Sequence, residues 1–302
     1  PVVRAETLKF KEEGVQSVVK EVFLPWYNAY RFFVQNAQRL QDELGEKFDP
    51  KNSDLNAASN VLDRWMIAST TSLVEYVQKE MEAYHLYTVL PYLVGFINNL
   101  TNVYVRFNRK RLKGKNGVED CRMALAVMFD VLMTLCKVMA PFTPYLTEVM
   151  YQNLNKCLSD ETGSVHWERF PDPAKRQKAD EKIQKSVGRM QSVIDFARII
   201  RDRKTRPTKI PLKQMTVVHS DEAFLSDLMG DLKVYLQEEI NVRSVVSSTD
   251  VSKFASASVV PEWGVLGKRL GKSMGQVAKA LKTLDAKSIA EFEATGQITV
   301  EG

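Results

Sequence analysis

Three stretches of this 302-residue sequence concentrate side chains that bind anions. From Val105 to Gly117 stand Arg106, Arg109, Lys110, Arg111, Lys113 and Lys115 without an acid, and Tyr104 and Phe107 are interleaved with them. From Arg198 to Lys213 stand Arg198, Arg201, Arg203, Lys204, Arg206, Lys209 and Lys213 against Asp202 alone. From Gly267 to Lys282 come Lys268, Arg269, Lys272, Lys279 and Lys282, again without an acid. Together these runs hold 18 of the 42 basic residues but one of the 37 acids. The net charge of +5 therefore hides a strong asymmetry, which favours a polyanion surface over general solubility. Guanidinium groups fork onto phosphates and aromatic rings stack unpaired bases, which is the chemistry of single-stranded RNA recognition. A basic run also suits a solvated helix end. Arg106 to Lys113 closes at Gly114, where cations complement the helix macrodipole. Charge alone leaves both readings open.

Other chemistry is poorly served. No phosphate-cradling glycine loop, metal triad or nucleophile–base pairing is present. Cys121, Cys136 and Cys157 lie far apart, no C-x-x-C occurs, and His85, His166 and His219 do not pair with them at ligand spacing. Neither a structural zinc site nor a disulfide framework is expected, and three free thiols suit a reducing cytosol. The chain opens at Pro1-Val2-Val3-Arg4 with no Met, charged leader or apolar h-region, and nowhere do 18 apolar residues run together. No signal peptide or membrane span is expected, and the start reads as a point inside a longer protein.

The elements that must position these residues are mostly helices. Val15 to Leu44 forms an opening helix, ended by the loop Gly45 to Pro50. From Asp63 to Gly114 apolar residues recur at helical spacing: Trp65, Ile67, Leu73 and Val74 form one stripe, and Leu86 to Tyr104 a second. Pro91 should kink this run or open a new helix. A third segment, Val118 to Leu154, breaks at Ala140-Pro141-Phe142-Thr143-Pro144. Short joins between amphipathic helices predict a bundle over residues 1–160. Polar residues with Gly163, Pro171 and Pro173 predict a linker over 161–179. Beyond it, 180–302 reads as a smaller α+β domain. Its helices are Asp180 to Arg203, Leu225 to Glu239 and Leu270 to Leu284; its strands are Gln214 to His219, Val242 to Val246 and Gln297 to Val300.

Three motifs in order carry a family resemblance. Asp63-Arg64-Trp65-Met66-Ile67 resembles the D-R-W-I-L element of the anticodon-binding bundle of class I tRNA synthetases for isoleucine, valine and leucine. Tyr104-Val105-Arg106-Phe107-Asn108-Arg109-Lys110-Arg111 is similar to their W-Y-V-R-x-x-R-x-R element, with Val103 in place of the Trp. Met139-Ala140-Pro141-Phe142-Thr143-Pro144-Tyr145-Leu146 resembles L-A-P-F-T-P-F-L. Flanking stretches narrow the amino acid. Pro1 to Glu6, Phe10 to Val15, Pro25 to Arg31, Ile200 to Lys204, Glu239 to Arg243 and Val265 to Leu270 resemble the region after the catalytic domain in eukaryotic-type cytosolic isoleucyl-tRNA synthetases.

The resemblance implies a mainly α fold: an anticodon-binding bundle followed by a smaller α+β domain. It implies that the full-length enzyme attaches isoleucine to tRNA-Ile with ATP and Mg²⁺ in the cytoplasm. This chain has no H-I-G-H or K-M-S-K-S element, so it would be the non-catalytic recognition part, with no cofactor of its own. The RNA-contacting candidates are Arg64, Arg106, Arg109, Lys110, Arg111 and Lys113 in the bundle, and Arg201, Arg203, Lys204, Arg206 and Lys209 after it. Trp65 is expected in the core, Pro141 and Pro144 to set helix geometry, and His85, within a helix, to be structural or solvated. Two rival readings are the equivalent region of a valyl or leucyl enzyme, and a module docking other synthetases of a multi-synthetase assembly through Gly267 to Lys282. DNA and membrane are not expected as partners.

Overall fold

The computed structural model describes residues 11–158, 163–254, 259–270, 274–282, 284 and 286–297. The chain opens with α1 (Glu12–Val18), which passes through a π turn, Val19–Phe23, into α2 (Leu24–Leu44). Pro25, which cannot donate a backbone hydrogen bond, directly follows the π turn, and Gly45 at φ 69° ends α2 in the left-handed conformation that glycine accepts without strain. Asn60 then caps α3 (Val61–Glu82), its side-chain oxygen accepting from Leu62 N at 2.9 Å. A turn with Tyr84 at φ 58° leads to α4 (Leu86–Asn98), which a second π segment, Asn99–Val105, carries on towards α5 (Arg109–Leu112). His85 stands in that turn, not within a helix, with Nδ1 3.4 Å from Glu80.

The core forms around α6 (Val118–Met139), which is apolar on almost every side and packs against α2, α3, α5 and α7 (Pro144–Asn155). Trp26, Phe33, Leu62, Leu73, Leu125 and Tyr151 are among its fully buried side chains. Trp65 is 3% exposed, as the apolar stripe predicts. Pro144 sits in the first turn of α7, and Pro141 lies in the turn that separates α7 from α6.

The predicted linker is corrected by its contacts. Val165 is buried, and Glu148 accepts from both Val165 N and Ser164 Oγ at 2.9 Å. Glu168 accepts from Lys137 at 2.7 Å and from the Tyr151 hydroxyl at 2.9 Å. Arg176 pairs with Asp130, and α8 (Glu181–Arg203) packs against α3. The first compact unit therefore runs to Arg206 and takes in Val234–Ile240, instead of ending near residue 160.

The second unit holds Pro207–Lys233 and the residues from Asn241 onward. Its strands β1 (Leu212–Val218) and β2 (Val242–Ser248) pair in parallel, with Leu212 opposite Val242 and Val218 opposite Ser248. The predicted helix over Leu225 to Glu239 divides at Gly230 into α9 (Glu222–Met229) and α10 (Lys233–Ile240). α9 packs on β2, burying Leu225 and Leu228. α11 (Trp263–Leu270), α12 (Met274–Lys282) and α13 (Ala286–Thr295) follow. Most of the predicted strand Gln297 to Val300 lies outside the described residues, as do Pro1 to Phe10 and part of the third basic run. Among the described residues no helix is long and apolar enough to cross a membrane.

Candidate nucleic-acid interface

The exposed face of the first basic run is held out by a buried clamp. Tyr104, Asn108 and Arg111 recur at helical spacing and turn inward, at 0%, 0% and 6% exposure. The Tyr104 hydroxyl donates to Asp63 Oδ1 at 2.8 Å. The Arg111 guanidinium donates to both Asp63 oxygens at 3.0 and 2.8 Å, to Asn108 Oδ1 at 2.9 Å, and to Asp120 at 2.6 Å. One arginine thus ties α3, α5 and α6 together. Burial works against its charge, but the hydrogen bonds to Asp120 and Asp63 outweigh that and hold its pKa above the ordinary value. Burial and the adjacent Asp63 carboxylate push the Tyr104 phenol well up, so it stays protonated and donates. Asp63 is itself fully buried, and its charge is tolerated because each oxygen is bonded.

With those three positions facing in, Arg106, Arg109, Lys110, Lys113 and Lys115 face out. They line a pocket of about 390 Å³ with Phe107 and with Tyr235, Glu238 and Glu239 of α10. The Phe107 and Tyr235 rings lie near-parallel at 22°, with centroids 6.2 Å apart. Tyr235 is fixed by Asn60, whose amide donates to its hydroxyl at 2.9 Å. Burial pushes the Tyr235 phenol up, and the Asn60 hydrogen bond opposes the shift. Arg109 lies over the Phe32 ring at 5.8 Å, a cation–π arrangement that aims the side chain without neutralising it.

Two carboxylates line this pocket. Glu238 pairs with Lys110 at 2.8 Å, while Glu239 accepts from both Arg106 and Arg198. Arg109, Lys113 and Lys115 make no ion pair among the described residues. The basic run therefore contains ion-paired cations and unpaired ones.

The second run divides similarly. Arg201 is 3% exposed; it donates to the backbone oxygens of Arg206 at 3.1 Å and of Ile240, the last residue of α10, at 3.3 Å. Its charge thus meets the negative end of a helix. Arg203, Lys204 and Arg206 are exposed at the close of α8, where Thr205 takes φ 48°. Lys209, in the second unit, is exposed too, and Arg64 is half exposed, 3.5 Å from Asp180.

Two expected RNA contacts are thereby corrected. Arg111 and Arg201 are buried in hydrogen bonds to the protein itself and cannot present their guanidinium groups to a polyanion. Both sit at helical positions that face inward, which the run of basic residues around them conceals. The pocket also includes Tyr235 and Glu238, which sequence reasoning passed over, and Glu239, which it noted only as the start of the flanking stretch Glu239 to Arg243. All three lie more than a hundred positions from Arg106, and no spacing in the sequence brings them to it.

Residues 63–216 match a family model described as the anticodon-binding domain of tRNA ligase. The chain belongs to this family, and the match opens on Asp63, the carboxylate at the centre of the clamp. It is 54% identical over 300 residues to the cytoplasmic isoleucine–tRNA ligase of Arabidopsis thaliana, covering 99% of this chain and 25% of that protein. Against the cytoplasmic isoleucine–tRNA ligase of Mus musculus the identity is 49%, over 100% of this chain and 24% of the relative. The corresponding protein of Saccharomyces cerevisiae is 44% identical, over 100% and 29%. The chain spans about a quarter of the length of these relatives.

Proposed function

We propose that this chain is the tRNA-recognising part of a cytoplasmic isoleucine–tRNA ligase, binding the anticodon stem and loop of tRNA-Ile. The observation that carries it is the coincidence of an anticodon-binding family match over residues 63–216 with an outward basic face at Arg106, Arg109, Lys110 and Lys113. Arg64, Arg203, Lys204, Arg206 and Lys209 are the remaining proposed contacts. Phosphate contacts supply most of the affinity and make it salt-dependent, and the fewer base contacts select the anticodon.

The whole protein would activate isoleucine with ATP and Mg²⁺ and transfer it to the tRNA 3′ end. Binding energy gathered by the bundle, remote from that chemistry, positions the acceptor end and separates cognate from non-cognate tRNA. The bundle contacts the stem-loop, and the α+β segment from Lys209 extends the contact. The test is titration of tRNA-Ile and a non-cognate tRNA at several salt concentrations. Tighter binding of tRNA-Ile with a steep salt dependence is expected. Equal affinity for both, or none at low salt, overturns the reading.

A further inference from the structure

The pocket between the first basic run and α10 is lined by two unlike sets of cations. Arg109, Lys113 and Lys115 offer cationic donors with no carboxylate partner among the described residues. In the same lining, Glu238 and Glu239 hold Lys110 and Arg106. A phosphate is drawn to the unpaired cations more strongly than to the ion-paired ones, so a ligand that enters is oriented. The near-parallel aromatic pair of Phe107 and Tyr235, both half-buried, also lines the pocket. A volume of about 390 Å³ accepts a single flat ring system with its phosphate at the rim. A duplex cannot enter, because its bases are stacked and paired.

From these features we infer that the pocket is a subsite for one unpaired nucleotide of RNA. Its base lies against the Phe107–Tyr235 pair, and its phosphate is held by Arg109, Lys113 and Lys115. The inference rests on the proposed tRNA-binding role and adds to it a specific place for a splayed-out loop base. Arg109 is already aimed by Phe32, so less side-chain freedom remains to be lost when the phosphate arrives. Tyr235 is held by Asn60, the cap of α3, which keeps the aromatic wall in place in the free protein.

The test uses the full chain and an RNA stem-loop carrying 2-aminopurine in its loop, beside a fully paired RNA duplex of equal length. Tyr235→Leu and Phe107→Leu should weaken stem-loop binding about tenfold and abolish the fluorescence quenching of the loop base, because a stacking surface is removed. Duplex binding and the salt dependence should be unchanged by them. Tyr235→Phe keeps the ring and drops the hydroxyl, so it should retain the quenching and show that the leucine effect is not a folding defect. Lys113→Ala with Lys115→Ala should weaken both RNAs and flatten the salt dependence. Stem-loop binding with full quenching in the two leucine variants overturns the subsite while leaving tRNA recognition intact. Failure of the unaltered chain to bind either RNA overturns tRNA recognition, and the subsite falls with it.

Discussion

Arg111 grips Asp63 through two hydrogen bonds, at 3.0 and 2.8 Å, with both side chains withdrawn from water. Removing one partner strands a buried charge on the other, which costs far more than the pair contributes. Arg111→Ala should destabilise the first unit by roughly 3–5 kcal/mol, read by urea denaturation. Tyr104→Phe, which withdraws one donor from the same carboxylate, should cost about 1–3 kcal/mol. A shift of under half a kcal/mol for Arg111→Ala, set against the few tenths typical of a surface change, would refute the clamp.

The basic residues at the close of α8 should separate by burial. Arg203→Ala, Lys204→Ala and Arg206→Ala should leave stability within about 0.5 kcal/mol and reduce the slope of log affinity against log salt by about one unit for each phosphate no longer neutralised. Arg201→Ala should instead lower stability by about 2 kcal/mol, since it releases the carbonyls of Arg206 and Ile240. Reversal of this pattern in melting and titration data would show that burial does not sort the two roles.

Glu239 holds two arginines that phosphate would otherwise engage. Glu239→Gln should free Arg106 and Arg198, tightening RNA binding about threefold at low salt and leaving it little changed at high salt, where exposed charges are screened. Filter binding at two ionic strengths measures this. Weaker binding at low salt would mean that the carboxylate helps to hold the RNA.

The segment over residues 163–178 should be tethered in a pH-dependent way. Glu168 has its pKa lowered, chiefly by the hydrogen bond from Lys137 and further by the one from Tyr151, with burial opposing. A depressed carboxylate contributes stability that is present above its unfolded pKa, ordinarily 4.5, and is lost as pH falls through the lower folded value. Glu168→Gln should therefore destabilise the chain by roughly 1 kcal/mol at neutral pH, and the gap should close below about pH 4. A gap that stays constant from pH 7 to pH 3 would remove the ionised carboxylate from the explanation.

The helical bundle was legible because its cause is local. Apolar residues at helical spacing in α3 and α6 declare both the helix and its buried face, and Gly45 announces a stop; in α4 the same spacing declares the helix, but Leu90 and Val94 of its stripe are exposed. The D-R-W, Y-V-R and A-P-F-T-P elements likewise identified the family, because residue identity and order suffice for that. Charge was a poorer guide. Arg111 and Arg201 look like their neighbours in a basic run, and only the placement of Asp63, Asp120 and the end of α10 turns them into internal braces.

Two further features rested on tertiary structure alone. The stretch over 163–178 has a linker's composition, yet it is bound to the bundle because Glu148, Asp130 and Lys137 stand where its polar groups can pair with them. The pocket exists because α10 brings Tyr235, Glu238 and Glu239 beside a run more than a hundred residues earlier. Periodicity and motif order are properties of neighbours along a chain. The side of a helix that meets a carboxylate, and the ring that meets another ring, depend on where the chain returns.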